Sequence, residues 1–243
     1  MQSTSHDKHQ SLTIESHSLN NFNLLRFIAA SLVVYTHCYG LTGKLPIQGQ
    51  DHFAYLIYLL GNVGVDTFFV ISGFLVTKSY LTRNSLVIFA RARALRIYPG
   101  LLCSLCFTVI IIGPLNTSLS LADYFDSPQL NIYFLSNLSL VKTVLELPGV
   151  FADNVYRFNA NGSLWTLPAE ARMYVLIAGL GASGILFKNR LYLLTLTLGI
   201  VLYLVDKNKI PLISDNSLYF KLSWFFFSGS LYYIFSESIL LKK

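Results

Sequence analysis

Charged residues are scarce in this sequence. Asp, Glu, Lys and Arg make up 12% of its 243 residues, against about 25% in ordinary soluble domains. Hydrophobic residues make up 53%, and the mean hydropathy is +0.53. This composition excludes an ordinary soluble domain and predicts a polytopic membrane protein. The net charge of +6 is then a signal of membrane orientation, and no nucleic-acid partner is expected.

Cysteine is also scarce, with three residues in the chain, so no disulfide framework is predicted. Residues 1–20 are polar and lack the apolar core of a cleavable signal peptide. We expect them to form a disordered cytoplasmic tail ahead of a transmembrane domain over residues 21–243. Three of the five histidines lie in this tail, where we interpret them as solvated side chains, and no metal site is expected.

The apolar runs predict an all-α transmembrane bundle with about six spans. Residues 51–60 are amphipathic and are expected to lie along the membrane interface before the second span turns inward. Pro99 is expected to open the third span. The predicted spans cover residues 22–41, 60–80, 98–114, 163–187, 190–206 and 217–236.

The basic residues predict the orientation of these spans. Lysine and arginine are enriched on the cytoplasmic side of membrane proteins. The short loop expected over residues 78–98 carries the densest group of them, including Lys78 and Arg83. With that loop inside, the amino terminus is predicted to be cytoplasmic.

Two ionisable residues interrupt the first apolar run, Arg26 near one end and His37 near the other. Eleven residues of helix bring the two side chains to within about 20° of one face and separate them by about 16 Å. Charged groups inside a membrane are costly, so each is a candidate functional residue. The alternative is that His37 lies at the interface with its polar tip in water.

Helix rise places His37, Asp66 and Glu170 at similar depth in the outer half of the membrane. A partly buried imidazole disfavours its charged form and is available as a general base. A nearby carboxylate would orient the ring and stabilise the imidazolium. These residues predict a catalytic site in which His37 deprotonates a hydroxyl acceptor, unless the carboxylates form only structural ion pairs.

A second polar feature, RARALRIYP over residues 91–99, contains Arg91, Arg93 and Arg96. Two interpretations are open: a topological anchor, or a phosphate-binding group, because the guanidinium fork matches phosphate oxygens. Arg26 is expected at the same cytoplasmic rim. Together the two features suggest a phosphorylated donor held at the rim, with its reactive thioester reaching a histidine nearer the outside.

Four stretches of this sequence closely resemble the membrane acyltransferase 3 family. They occur in the family's order and at plausible spacing, and the likeness extends over nearly the whole chain after residue 20. The stretches are residues 22–37, 64–75 (GVDTFFVISGFL), 93–99 (RALRIYP) and 163–170 (SLWTLPAE).

The resemblance implies an integral O-acyltransferase of the bacterial inner membrane. Such enzymes move an acyl group, most often acetyl, from cytoplasmic acyl-CoA to a hydroxyl of a carbohydrate, such as lipopolysaccharide, or of a lipid-linked glycan. The family's first-helix arginine and histidine fall on Arg26 and His37. Its arginine pair linked to acyl-CoA falls on Arg93 and Arg96, and its tryptophan-to-glutamate segment on Trp165 and Glu170.

Several small or aromatic residues in these stretches have two interpretations. Gly64, Ser72 and Gly73 either allow close helix packing or contact the pantetheine arm of the donor. Trp165 is either an anchor at the membrane interface or a stacking platform for a sugar.

The resemblance also has a departure, since family members usually continue through about ten spans. We therefore expect a shortened or carboxy-terminally truncated relative, and an inactive fragment is one alternative. A proton-coupled transporter or channel is another, because intramembrane histidine and carboxylates also relay protons.

Overall fold

A computed structural model describes residues 4–41, 52–154, 157–184, 186 and 217–240. Regular structure in these ranges is helical, apart from one isolated antiparallel bridge between Thr117 and Val150. Three helices among the described residues are long and apolar enough to cross a membrane: Asn21–Leu41, His52–Arg83 and Leu86–Asn116. The predicted all-α membrane fold is thereby confirmed.

The described part of the chain contains eight α-helices, a π-helical segment within the third span and one 3₁₀ helix. The predicted spans 163–187 and 217–236 correspond to α7 and α8, whereas 190–206 lies outside the described residues. In order, the elements are α1 (Thr4–Leu41), α2 (His52–Arg83), α3 (Leu86–Phe107), the π-helix Thr108–Ile112, α4 (Gly113–Asn116), α5 (Leu121–Asp126), α6 (Pro128–Ser139), the 3₁₀ helix Gly162–Thr166, α7 (Leu167–Ala182) and α8 (Ser217–Leu240).

Helix α1 begins at Thr4, within the segment for which the sequence predicts a disordered tail. Residues 1–20 contain neither proline nor glycine, so no helix-breaking residue separates them from the apolar span. The helix therefore runs through residue 20, and the boundary between tail and transmembrane domain stays a prediction.

Helix α2 is a single element of 32 residues, about 48 Å long and longer than the roughly 30 Å hydrocarbon core. The expectation that residues 51–60 lie along the interface before a turn is therefore wrong. Gly61, where a turn would fall, instead packs against Thr36 of α1.

Helix α3 begins at Leu86, so the expectation that Pro99 opens the third span is also wrong. Asn84 has a positive φ of 45°, and the Ser85 side chain caps the helix by accepting from the Ile88 backbone N–H. Pro99 lies inside the helix, as membrane helices tolerate. Because the predicted loop 78–98 is a tight turn at Asn84 and Ser85, Arg83 ends α2, and Arg91, Arg93 and Arg96 lie on α3 itself.

The chain divides into two compact units, residues 1–72 and 73–243, with the boundary inside α2. In the first unit, α1 and α2 pack through small residues. The Thr36 hydroxyl donates to the Ile57 carbonyl oxygen at 2.8 Å, and a Cβ on Gly64 would lie 2.8 Å from the Ala29 carbonyl oxygen. Close packing at Gly64, one of its two predicted roles, is thus observed.

In the second unit, the π-helix is held by α5. The buried Tyr124 hydroxyl donates to the Val109 carbonyl oxygen at 3.0 Å, and its ring fills the space beside Gly113. Burial raises the pKa of Tyr124, and it raises the pKa of the fully buried Tyr133 on α6 to about 12. These two neutral phenol side chains pack at the end of the third span.

The segment after α6 is braced by one buried side chain, Asn137. Its amide nitrogen donates to the Val144 carbonyl oxygen at 2.7 Å, and its side-chain oxygen accepts from the Val144 N–H at 3.1 Å. Further along this segment, the Pro148 carbonyl oxygen accepts from the Thr117 hydroxyl at 2.8 Å. These bonds fix the chain that leads from α6 to α7.

Candidate functional site

The predicted site residues are divided between the two units. The first unit holds Arg26, His37, Asp66 and Ser72, and the second holds Gly73, Arg91, Arg93, Arg96, Trp165 and Glu170.

Arg26 and His37 lie on one uninterrupted helix, α1, so the predicted sharing of a face holds. Arg26 is half-buried and His37 is exposed. The sequence predicts a partly buried imidazole, but the described residues leave it exposed. The reason is that α2 packs on the neighbouring side of α1, through Ala29 and Thr36.

The contacts between α1 and α2 also set the level of Asp66. Thr36 meets Ile57 and Gly61, whereas Ala29 meets Gly64, so the helices run antiparallel. Asp66 therefore lies near the level of Ala29, about 12 Å along the axis from the level of His37. The expectation that Asp66 and His37 share one depth is corrected by this register.

Asp66 also lies about 160° around α2 from Gly64, the residue that meets α1. It is half-buried, and its level is nearer to Arg26 than to His37. The catalytic assignment of Asp66 stays a prediction.

Ser72 and Gly73 are both buried. A Cβ on Gly73 would overlap the Phe226 carbonyl group of α8. Close helix packing therefore accounts for this glycine, and contact of Ser72 and Gly73 with the donor stays a prediction.

The three arginines of α3 have different surroundings. Arg91 and Arg96 are exposed, whereas Arg93 is half-buried. The Arg93 Cζ atom lies 5.8 Å from the centre of the Phe89 ring and 5.5 Å from that of the Tyr174 ring. Both distances fall in the range of cation–π attraction, so Arg93 links α3 to α7.

Glu170 belongs to the same group, because the Tyr174 hydroxyl donates to its Oε1 atom. The structure thus brings together Arg93 and Glu170, two predicted site residues from different motifs. We call Phe89, Arg93, Glu170 and Tyr174 the Arg93 cluster. This cluster places the Arg93 cation and the oriented Glu170 carboxylate within an apolar bundle.

Sequence reasoning missed Phe89 and Tyr174. Each lies four residues from a predicted site residue, Phe89 before Arg93 and Tyr174 after Glu170. Residues at that spacing share a helix face. Once α3 is known to begin before Arg91, this spacing of four residues identifies Phe89 and Tyr174 as neighbours of the predicted site residues.

Trp165 lies in the 3₁₀ helix that precedes α7 and is half-buried. Two hydrogen bonds fix the chain entering this helix. Asn161 donates its amide to the Ser104 hydroxyl at 2.9 Å, and the Ser163 hydroxyl donates to the Asn161 side-chain oxygen at 2.6 Å. Neither predicted role of Trp165, anchor or sugar platform, is decided by these contacts.

No group of three or more His, Cys, Asp and Glu side chains among the described residues is arranged to hold a metal ion. Cys38, Cys103 and Cys106 are free and exposed. The polar groups of the candidate site residues are therefore arginine, histidine, tyrosine and carboxylate groups.

Comparison with known proteins identifies the family. Residues 19–243 match the family model described as an acyltransferase domain, Acyl_transf_3. The chain belongs to this family, as its four motifs predict. It is an integral membrane protein with an all-α fold.

Two curated relatives are similar to about two thirds of the chain's length. An "O-acetyl transferase" of Shigella phage Sf6 is 29% identical over 160 residues, which is 66% of this chain and 45% of the relative. "Nodulation protein 10" of Rhizobium leguminosarum bv. viciae is 32% identical over 161 residues, 64% of this chain and 42% of the relative. The matched region thus spans less than half the length of either relative. No solved structure matches the chain.

Proposed function

We propose that this protein is a membrane O-acyltransferase that moves an acetyl group from cytoplasmic acetyl-CoA to a hydroxyl of a carbohydrate. The observation that carries the proposal is the family match over residues 19–243. A relative named for O-acetyl transfer favours acetyl as the group moved. The acceptor class, a cell-envelope or lipid-linked glycan, follows from the family resemblance.

His37 is the proposed general base. It takes the proton of the acceptor hydroxyl while that oxygen attacks the thioester carbonyl. The carbon–sulfur bond then breaks, and CoA leaves as a thiolate that takes up the proton. Glu170 and Asp66 are the candidate carboxylates that support the imidazolium.

Arg91 and Arg96 are proposed to bind the CoA phosphates. Both are exposed on α3, and exposed guanidinium groups can pair with phosphate oxygens through two hydrogen bonds. Arg26 and Arg93 are proposed to contribute further positive charge to the donor-binding site. The proposed location is the bacterial inner membrane, with the amino terminus in the cytoplasm.

Acetyl-CoA turnover by membranes containing the full chain tests the proposal. Release of free CoA thiol and O-acetylation of the host's envelope glycans are measured together. We expect His37→Ala to lower both by about a hundredfold or more, the usual contribution of a general base. His52→Ala is the matched control, because His52 is an exposed histidine at the start of α2 with no proposed role.

Full activity of inserted His37→Ala protein would exclude the proposed base. Binding of acetyl-CoA to the purified protein separates this proposal from a proton-coupled transporter, which has no need of a thioester ligand. Absence of both binding and turnover would contradict the acyltransferase assignment of this chain.

A further inference from the structure

The hairpin formed by α2 and α3 has a register that its aromatic contacts define. Tyr80 and Phe89 pack edge to face, with ring centres 5.3 Å apart. One helical turn further from the Asn84–Ser85 turn, α2 presents Thr77 and α3 presents Arg93. The two side chains therefore lie at one level of the second unit, about 10–12 Å from the turn along the helix axes.

Thr77 is fully buried, with 0% of its surface exposed. Its hydroxyl oxygen has no hydrogen-bond partner among the residues that the structure describes. A buried hydroxyl without a partner is unfavourable, so such groups are uncommon in native proteins.

Several other hydroxyl groups in these helices bond within their own helix, whereas those of Thr77 and Ser79 have no partner among the described residues. Thr108 donates to the Ser104 carbonyl oxygen at 2.8 Å, and Thr67 donates to the Val63 carbonyl oxygen at 2.7 Å. The equivalent acceptor for Thr77 is the Gly73 carbonyl oxygen, which lies 3.3 Å from the Ser230 hydroxyl of α8. Thr77 does not use that acceptor, so its hydroxyl hydrogen is available to another group.

Arg93 also has an available donor. Its Nε atom is buried and has no hydrogen-bond partner in the described ranges. The guanidinium group lies over the Phe89 and Tyr174 rings. Thr77 and Arg93 thus place two unused donors at one level of the apolar bundle.

We propose that Thr77 Oγ1–H and Arg93 Nε–H bind one oxygen atom of the acyl-CoA donor. This inference rests on the proposed function and adds Thr77 to the donor site. The oxygen belongs either to the pyrophosphate or to a carbonyl of the acylated pantetheine arm. Both are acceptors, and both suit a pair of N–H and O–H donors.

Thermal unfolding of the purified full chain at increasing acetyl-CoA concentration tests the inference, since a ligand that binds the folded state raises the unfolding midpoint. Thr77→Val removes the hydroxyl at nearly constant volume. We expect about a tenfold rise in the acetyl-CoA concentration needed for half of the maximal stabilisation. The midpoint without acetyl-CoA should not fall, because no bond among the described residues is lost.

Thr108→Val is the matched control. It removes a buried threonine hydroxyl from the π-helix that continues α3, where the group donates to the Ser104 carbonyl oxygen, and the acetyl-CoA dependence should stay at the wild-type value. Thr77→Ser retains the hydroxyl and should bind acetyl-CoA as the wild type does. ADP and S-acetyl-pantetheine, used in place of acetyl-CoA, show whether the oxygen lies in the pyrophosphate or in the arm.

The possible results separate the inference from the proposed function. Stabilisation of wild type and Thr77→Val by equal concentrations of acetyl-CoA would overturn the role of Thr77 and leave the acyltransferase proposal intact. A lower midpoint for Thr77→Val than for Thr77→Ser without ligand would also overturn it, by showing a structural bond. Failure of acetyl-CoA to stabilise the wild type would contradict the donor assignment itself.

Discussion

At the scale of single residues, Tyr174 has two separable contacts. Its ring lies 5.5 Å from the Arg93 Cζ atom, and its hydroxyl donates to Glu170. The ring holds α3 against α7, whereas the hydroxyl fixes one carboxylate oxygen. A substitution that removes only the hydroxyl therefore tests whether Glu170 must be oriented.

We expect Tyr174→Phe to lower kcat for acetyl transfer about tenfold, the effect of losing one hydrogen bond to a charged group. The KM for acetyl-CoA should stay unchanged, because the ring still packs on Arg93. Initial rates at varied acetyl-CoA concentration separate the two constants. Tyr232→Phe is the control, since Tyr232 is an exposed tyrosine of α8; a wild-type kcat for Tyr174→Phe would show that Glu170 needs no such support.

The residue scale also shows what sequence could and could not predict of the site. The motifs identified Arg93 and Glu170 separately, and the structure places both in one cluster. Sequence did not predict that Arg93 is half-buried whereas Arg91 and Arg96 are exposed, because that difference depends on which helix face meets α7. Nor did it place Asp66, because its level relative to His37 depends on the register of two helices.

At the scale of helices, the apolar runs predicted where the first three spans lie but not where the second and third begin. Apolar length defines the part inside the membrane, whereas caps and turns define the ends. Ser85 and the positive φ of Asn84 begin α3 twelve residues or so before the expected start. Pro99 is a strong helix breaker in water. The prediction that it opens the third span is wrong because membrane helices tolerate proline in their interior.

The packing of α1 on α2 depends on the absence of a side chain at Gly64. A Cβ there would lie 2.8 Å from the Ala29 carbonyl oxygen, a backbone atom, and 3.0 Å from a methyl carbon of Val33. Backbone atoms cannot rotate away, so Gly64→Ala must separate the two helices.

We expect Gly64→Ala to destabilise the protein by about 1–3 kcal/mol, the usual cost of overpacking, and to lower the thermal unfolding midpoint in detergent. Gly179→Ala is the matched control, because a Cβ at Gly179 of α7 would meet no described atom within 4 Å. Alanine favours helix over glycine by up to about 1 kcal/mol, so the control should be unchanged or more stable. Equal midpoints for the two variants would show that the close α1–α2 contact is not needed.

At the scale of the whole molecule, the third span fixes the relation between two surface positions. Leu86–Asn116 is one candidate membrane span of 31 residues. Thr82, near the end of α2, precedes it, and Ser118 follows it. A single crossing between them requires that the two positions face opposite sides of the membrane. The arginines near the start of α3 predict which side is the cytoplasm.

We expect a membrane-impermeant maleimide to label Ser118→Cys in intact spheroplasts and to label Thr82→Cys only after permeabilisation. Both substitutions are made in protein whose Cys38, Cys103 and Cys106, all exposed, are replaced by serine. The serine-only parent is the control for background labelling. Labelling of both positions from one side would exclude the crossing, and the reverse pattern would place Arg91 and Arg96 outside, away from cytoplasmic acetyl-CoA.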